Sequence, residues 1–170
     1  TRVSPGCVHC YAETFAKRTG HGWGPQADRR LFGDKHWNEP VKWNRDAEKA
    51  GERRRVFCAS MADVFEDRPE LEEQRARLWG LIEATPMLDW LLLTKRPENL
   101  ARMLPAAWIA APCPNVWLGT TAEDQEYAAL RIPLLLQTPA AVRFVSYEPA
   151  LGPVDFKPWV RGSRSIHISM

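Results

Sequence analysis

The sequence predicts an α/β protein built around a parallel sheet. Four apolar runs, each ending in polar residues, occupy residues 56–60, 90–94, 116–120 and 142–146. Near-continuous apolar runs are typical of strands that are buried on both faces, as in parallel sheets. Helical patterns fill the gaps between the runs, which indicates repeated βα units. Right-handed crossovers would wind such units into a barrel or into an open doubly wound sheet.

Helices are predicted after each of the first three runs. Pro69 begins an acidic first turn that is followed by apolar residues at helical spacing, and Pro97 begins a shorter helix. Proline at an early helical position and acidic residues in the first turn are both typical of a helix start. A third helix is predicted over residues 122–136, with a bend at Pro133.

The first 50 residues carry weaker signals. We predict helices over residues 9–18 and 41–50, and we expect residues 20–40 to be irregular because they are rich in glycine and proline. No linker divides the chain, so residues 1–160 are predicted to form one domain. Residues 161–170 lack a strong period and are expected to be disordered or a non-native end.

Composition narrows the class of protein. The chain has 170 residues, of which 45% are hydrophobic and 26% are charged, as in soluble globular proteins. A net charge of +2 does not call for nucleic acid or anionic lipid as a partner. No secretory signal or apolar stretch of about 20 residues is present, so a cytoplasmic location is expected. Four cysteines are too few for a disulfide scaffold.

Residues 4–13, which we call the cysteine segment, contain two thiols separated by two residues, Cys7 and Cys10. Three chemistries use such a pair. A zinc site needs two more ligands, a redox dithiol needs a helix start that lowers the pKa of the first thiol, and an iron–sulfur cluster needs three or four thiolates. A purely structural role is disfavoured by the preceding Pro-Gly turn, whereas Cys58 and Cys113 are expected to be structural.

Polar residues follow each predicted strand. In parallel sheets, ligands bind at the carboxyl ends of the strands. Each residue alone is also explained as a loop residue or a helix cap, but four such groups at one edge predict a pocket. Its candidate residues are Asp63, Thr94, Lys95, Arg96, Thr120, Glu123 and Glu148.

The sequence also resembles a known family. The resemblance is carried by residues 1–13, 57–67, 91–97, 115–123 and 131–154, in that order, and its clearest piece is Ser146-Tyr147-Glu148-Pro149. The family is a phage- and prophage-associated group of unknown function with a three-cysteine motif, and it is similar to radical SAM enzymes.

The resemblance implies a partial parallel (β/α) barrel of the radical SAM type, related to the TIM barrel and truncated at both ends. It also implies a [4Fe–4S] cluster and S-adenosylmethionine, whose cleavage would give a radical that abstracts hydrogen from a substrate. Cys7 and Cys10 would be the second and third cluster ligands. The first ligand would precede Thr1, so the chain as given is expected to bind a cluster poorly or not at all.

Roles for the pocket follow from this implied chemistry. Asp63, Glu123 and Glu148 are predicted to hold the amino group or ribose hydroxyls of the nucleoside, with Thr94 and Thr120 beside them. Tyr11 is predicted to pack on the adenine. Lys95 and Arg96 would meet a carboxylate or phosphate. A partner protein encoded nearby is also expected, and a nucleic-acid substrate has weaker support.

Three functions therefore stay open from sequence. The first is a radical-SAM-like iron–sulfur enzyme that acts on an unknown substrate. The second is a zinc-binding or catalytically inactive barrel. The third is a thiol–disulfide oxidoreductase that uses Cys7 and Cys10.

Overall fold

The structure, a computed structural model, describes residues 3–9, 11–24, 26–160 and 166–169. In these residues the strands form one sheet with the order β1-β2-β3-β4-β5, and all neighbours pair in parallel. The strands are β1 (Arg54–Cys58), β2 (Leu88–Thr94), β3 (Val116–Thr121), β4 (Val142–Ser146) and β5 (Ile166–Ser169). The prediction of an α/β fold with a parallel sheet is confirmed.

Of the α-helices in the described residues, two precede β1, and the other five connect consecutive strands. They are α1 (Tyr11–Arg18), α2 (Asp34–Ala50), α3 (Glu72–Glu83), α4 (Leu100–Met103), α5 (Ala106–Ala110), α6 (Gln125–Gln137) and α7 (Lys157–Val160). Short 3-10 helices precede three of them, at Pro5–His9, Pro69–Leu71 and Pro97–Asn99. None of the helices in the described part of the chain has the length and apolar character that a membrane span requires.

The core lies between the sheet and these helices. Alternate residues of β2, among them Leu88, Trp90 and Leu92, are buried against α3, α4, α5 and α6. Since successive side chains of a strand point to opposite faces, the residues between them face the other side, where burial is partial. At the start of the strands, the buried Asn115 amide donates to the carbonyl oxygens of Ile82 and Leu88 and so ties α3 to the sheet.

Helix α2 is longer than the sequence indicates. We predicted an irregular chain up to Pro40, but the helix begins at Asp34 and contains this proline. Proline inside a helix removes one backbone hydrogen bond. Burial of the apolar Pro40 ring offsets part of this loss. The helix ends at Ala50, and Gly51, with a φ of 67°, caps it by donating its N–H to the last carbonyl groups.

The tail also differs from its prediction. We expected no ordered element over residues 161–170, yet Ile166–Ser169 form β5 beside β4. Alternation of isoleucine with polar residues suits an edge strand, and the unpaired edge of β4 offers hydrogen-bonding groups for it. The remaining tail residues lie outside the described residues.

Candidate functional site

The loops that follow the parallel strands meet at one edge of the sheet, which we call the rim. Asp63, after β1, accepts hydrogen bonds from Thr94 Oγ1 at 2.8 Å and from the backbone N–H of Lys95 at 3.2 Å. It also pairs with Arg96, whose Nη1 donates to Asp63 Oδ2 at 2.8 Å. Asp63 therefore joins the loop after β1 to the loop after β2.

Thr94 and Thr120 extend this network into the sheet. Thr94 Oγ1 accepts from the N–H of Arg96 at 2.9 Å, and Thr120 Oγ1 donates to the Thr94 carbonyl oxygen at 2.9 Å. Both threonines are buried. The structure thus brings Asp63, Thr94, Arg96 and Thr120 together as predicted, but their contacts with one another favour a structural role over ligand binding.

Glu123 is the centre of a second cluster at the rim. Its side chain is fully buried and forms an ion pair with Lys95. Ser4 Oγ donates to Glu123 Oε1 at 2.6 Å, and Lys95 Nζ donates to Ser4 Oγ at 3.3 Å. The second carboxylate oxygen lies 3.5 Å from Arg131 Nη1 and accepts no hydrogen bond from the described residues.

Local structure explains why Glu123 lies in this cluster. We predicted that the helix after β3 begins at residue 122, but α6 begins at Gln125, with Asp124 as its N-cap. The Asp124 carboxylate accepts from the N–H of Tyr127 at 2.9 Å, as an N-cap does. Glu123 therefore precedes the helix, and its backbone carbonyl accepts from the N–H of Leu151 at 2.8 Å.

The cysteine segment packs directly on Glu123. A Cβ atom added to Gly6 would lie 2.7 Å from Glu123 Oε1 and 2.9 Å from Pro149 Cδ, so only glycine fits here. Farther along the segment, the exposed Tyr11 donates from its hydroxyl to the Ser60 carbonyl at 3.3 Å. The segment therefore runs along the rim from the loops after β3 and β4 to the loop after β1.

Cys7 lies in this docked segment and is buried. Its Sγ accepts from the N–H of Val3 at 3.5 Å and lies 3.6 Å from Ser4 Oγ. Burial acts to raise the pKa of Cys7, but the hydrogen bonds from Val3 and Ser4 and the positive charge of Lys95 outweigh it, so the pKa is lowered. A lowered pKa favours the thiolate, which is the nucleophile and the metal ligand.

Metal ligands were predicted at Cys7 and Cys10. Cys10 lies outside the described residues. Within the described ranges, no group of three or more histidine, cysteine, aspartate or glutamate side chains is placed to hold a metal ion. Cys7 therefore supplies one thiol of suitable chemistry, and the described residues do not complete a protein-only metal site.

Glu148, the last predicted pocket residue, is exposed. It precedes Pro149 through a cis peptide bond, and Pro149 contacts the cysteine segment at Gly6. Tyr11, within the cysteine segment, and Glu148, next to the Pro149 that contacts it, both have exposed surface.

Sequence reasoning missed three members of the site. Ser4 and Gly6 were treated as a turn before the cysteines, although they make the contacts with Glu123. Arg131 received no role within the helix predicted over residues 122–136, yet it is buried and donates to Thr121 Oγ1 at 3.1 Å. The signal that could have identified Arg131 is its position among the apolar residues of this helix, because a charge that is buried there needs a charged or hydrogen-bonding partner.

A separate surface pocket of about 240 Å³ lies between α3 and α4. Three of its charged residues have internal partners: Arg75 donates to the carbonyl oxygens of Val64 and Glu66, and Arg102 pairs with Asp67 at 2.9 Å. It shares no lining residue with the Glu123 cluster. We assign it no function.

Comparison with known proteins gives one match. No curated protein and no solved structure matches the chain. A family model described as "Protein of unknown function (DUF5131)" matches residues 1–165. This match covers almost the whole sequence, and the chain therefore belongs to the DUF5131 family of proteins of unknown function.

Proposed function

We propose that the full-length protein is a radical-SAM-like iron–sulfur enzyme. The observation that carries this proposal is the position of Cys7, which is buried at the rim beside Ser4 and close enough to Lys95 for its charge to act on the thiol. Enzymes with parallel sheets bind ligands at the carboxyl ends of the strands, and Cys7 lies at this end.

The charges around Cys7 favour a bound thiolate. Lys95 and Arg131 place two positive charges against the single carboxylate of Glu123. A Cys7 thiolate adds a second negative charge and balances the cluster. Since iron and zinc bind thiolates and release protons on binding, this environment supports metal binding at Cys7.

Cys7 and Cys10 would hold the iron, and the family resemblance places a third cysteine before Thr1. When bound, such a cluster supplies the electron that cleaves S-adenosylmethionine. The protein's part is to place the thiols, orient the ligand and exclude water.

The order of the strands supports a partial barrel. Each strand pairs with the next in the sequence, and all are parallel. A doubly wound sheet reverses its order at a switch point, whereas a barrel keeps the chain order. We therefore propose a partial barrel of the radical SAM type for this sheet.

The rim residues differ in their suitability for a ligand. We propose that Tyr11 and Glu148 contact S-adenosylmethionine, because both are exposed, Tyr11 within the cysteine segment and Glu148 next to Pro149, which contacts it. Lys95 is partly exposed and remains a proposed contact for a substrate carboxylate or phosphate. Asp63 and Arg96 have partners in the protein that compete with such a role.

The proposal also includes the cellular location of the protein and its interaction partners. A cytoplasmic location suits an iron–sulfur protein with sparse cysteines, because the cytosol keeps thiols reduced. A phage association, a partner protein encoded nearby and a substrate related to nucleic acid stay predictions from the resemblance.

A thiol–disulfide oxidoreductase is the second candidate. The lowered pKa of Cys7 favours it, since dithiol enzymes attack through a thiolate. The 3-10 helix Pro5–His9 also places Cys7 shortly before the start of α1.

Anaerobic reconstitution of the full-length protein with iron and sulfide separates the candidates. The first predicts a broad visible absorption that bleaches with dithionite. A zinc-binding or inactive barrel predicts stoichiometric zinc without that band. An oxidoreductase predicts a reversible Cys7–Cys10 disulfide that turns over a dithiol substrate, and this result without iron uptake would overturn the proposal.

A further inference from the structure

A buried glutamate beneath the cysteine segment has no explanation in the fold alone. Glu123 has no exposed surface, and it is neither the N-cap of α6 nor part of a strand. Burying a carboxylate is costly unless it is paired and hydrogen-bonded. The role of Glu123 therefore depends on its partners, which include Ser4 and Lys95.

These partners come from distant parts of the sequence. Ser4 belongs to the cysteine segment, Lys95 follows β2, and Arg131 lies on α6. Glu123 is the one described side chain that contacts all three. It therefore links the cysteine segment to the loop after β2 and to a helix of the core.

Close packing at Gly6 is a second contact between the cysteine segment and Glu123, independent of the hydrogen bond from Ser4. Gly6 approaches so closely that an added Cβ would overlap the Glu123 carboxylate and Pro149. The cysteine segment thus sits on Glu123 through a hydrogen bond at Ser4 and through close packing at Gly6. Cys7 follows directly, and its Sγ lies 3.6 Å from Ser4 Oγ.

We infer that Glu123 is a positioning residue that docks the cysteine segment on the rim through Ser4 and Gly6. This assigns it a different role from the ligand contact predicted from sequence. The docking itself does not depend on a metal, but its use, to place Cys7 for a cluster, rests on the proposed function.

Hydrogen exchange measured by mass spectrometry on the full chain tests this inference. Ser4→Ala removes the hydrogen bond and leaves the buried ion pairs in place, whereas Gly6→Ala inserts a methyl group against Glu123 Oε1 and Pro149 and so displaces the segment. We expect amide exchange in residues 3–18 to rise about tenfold in Ser4→Ala, as loss of one net hydrogen bond predicts, and to rise in Gly6→Ala as well. Exchange in β2 and β3 should stay unchanged.

Two matched variants serve as controls. Ser4→Thr keeps the hydroxyl and should restore slow exchange. Gly33→Ala adds the same methyl group where no atom lies within 4 Å of the added Cβ, and should have no effect. Unchanged exchange in residues 3–18 of Ser4→Ala and Gly6→Ala, or an equal rise in the strands, would overturn the inference.

The iron content of the reconstituted wild-type protein is measured in parallel. If the wild type takes up no iron while the exchange results are as expected, the proposed function fails and the docking role stands. If iron is bound but exchange is unchanged in the variants, the docking role fails alone.

Discussion

Cys7 is the residue whose environment departs most clearly from that of an ordinary cysteine at this site. Burial alone would raise its pKa, and the hydrogen bonds from Val3 and Ser4 together with Lys95 reverse that effect. The thiolate is therefore populated at lower pH than in a free cysteine, whose ordinary value is 9.0.

Alkylation of Cys7 tests this environment. In metal-free protein carrying Cys10→Ser, the half-maximal alkylation rate of Cys7 should lie below pH 9.0. Lys95→Met removes a nearby positive charge, which raises the pKa, so the profile should move to higher pH and the rate near neutral pH should fall. Lys42→Met, an exposed lysine on α2, is the control. A profile that Lys95→Met leaves in place would contradict the assigned cause.

Cys58 should behave in the opposite way. Burial raises its pKa to about 12. At pH 9 its thiolate fraction is then about a thousandth, whereas a cysteine with the ordinary pKa of 9.0 is about half ionised. We expect alkylation of Cys58 at pH 9 to be several hundredfold slower in the folded protein than in urea, as read by peptide mass. Rapid modification of the folded protein would show that Cys58 is accessible.

At the scale of the elements, the start of α6 decides where Glu123 lies. Asp124→Ala removes the N-cap and should lower the free energy of unfolding by about 1 kcal/mol. Urea denaturation measures this, with Glu126→Ala, an exposed residue in the same turn, as the control. Equal stability of Asp124→Ala and wild type would mean that the helix begins elsewhere.

The sheet has a close approach between β3 and β4. Gly119 lies opposite Phe144, and an added Cβ would lie 2.3 Å from the ring. Gly119→Ala should therefore destabilise the protein by roughly 1–3 kcal/mol through overpacking. Adding Phe144→Leu should recover part of that loss in a double-mutant cycle. Strictly additive effects of the two substitutions would contradict this contact.

The elements also show what the sequence can predict. The apolar runs located β1 to β4 within two residues, because strands buried in a parallel sheet are continuous in hydrophobicity. The helix start before Gln125 was misplaced because Ala122 and Glu123 both suit a first turn, whereas the Asp124 N-cap and the tertiary contacts of Glu123 place both residues before the helix. The start of α2 was also misplaced, because a proline inside a helix is unfavourable and Pro40 therefore indicated a helix boundary.

At the scale of the whole molecule, the sequence predicted that the polar residues after the strands meet at one edge of the sheet, and Asp63, Lys95 and Glu123 do so. The sequence could predict this because strand ends share an edge whatever the details of packing. It could not pair Ser4 with Glu123, since the two are 119 positions apart and hydrogen bonds of this kind leave no local pattern. The family match agrees with the predicted membership in a family of unknown function, and the radical SAM chemistry stays a proposal.

The iron content of the anaerobically reconstituted full-length protein tests the central claim most directly. We predict that the wild type binds iron and sulfide, that Cys7→Ser loses most of both, and that Cys113→Ser retains them. Cys113 precedes β3, and so lies at the end of this strand that is opposite to the rim. Equal iron in wild type and Cys7→Ser, or none in the wild type, would contradict the account.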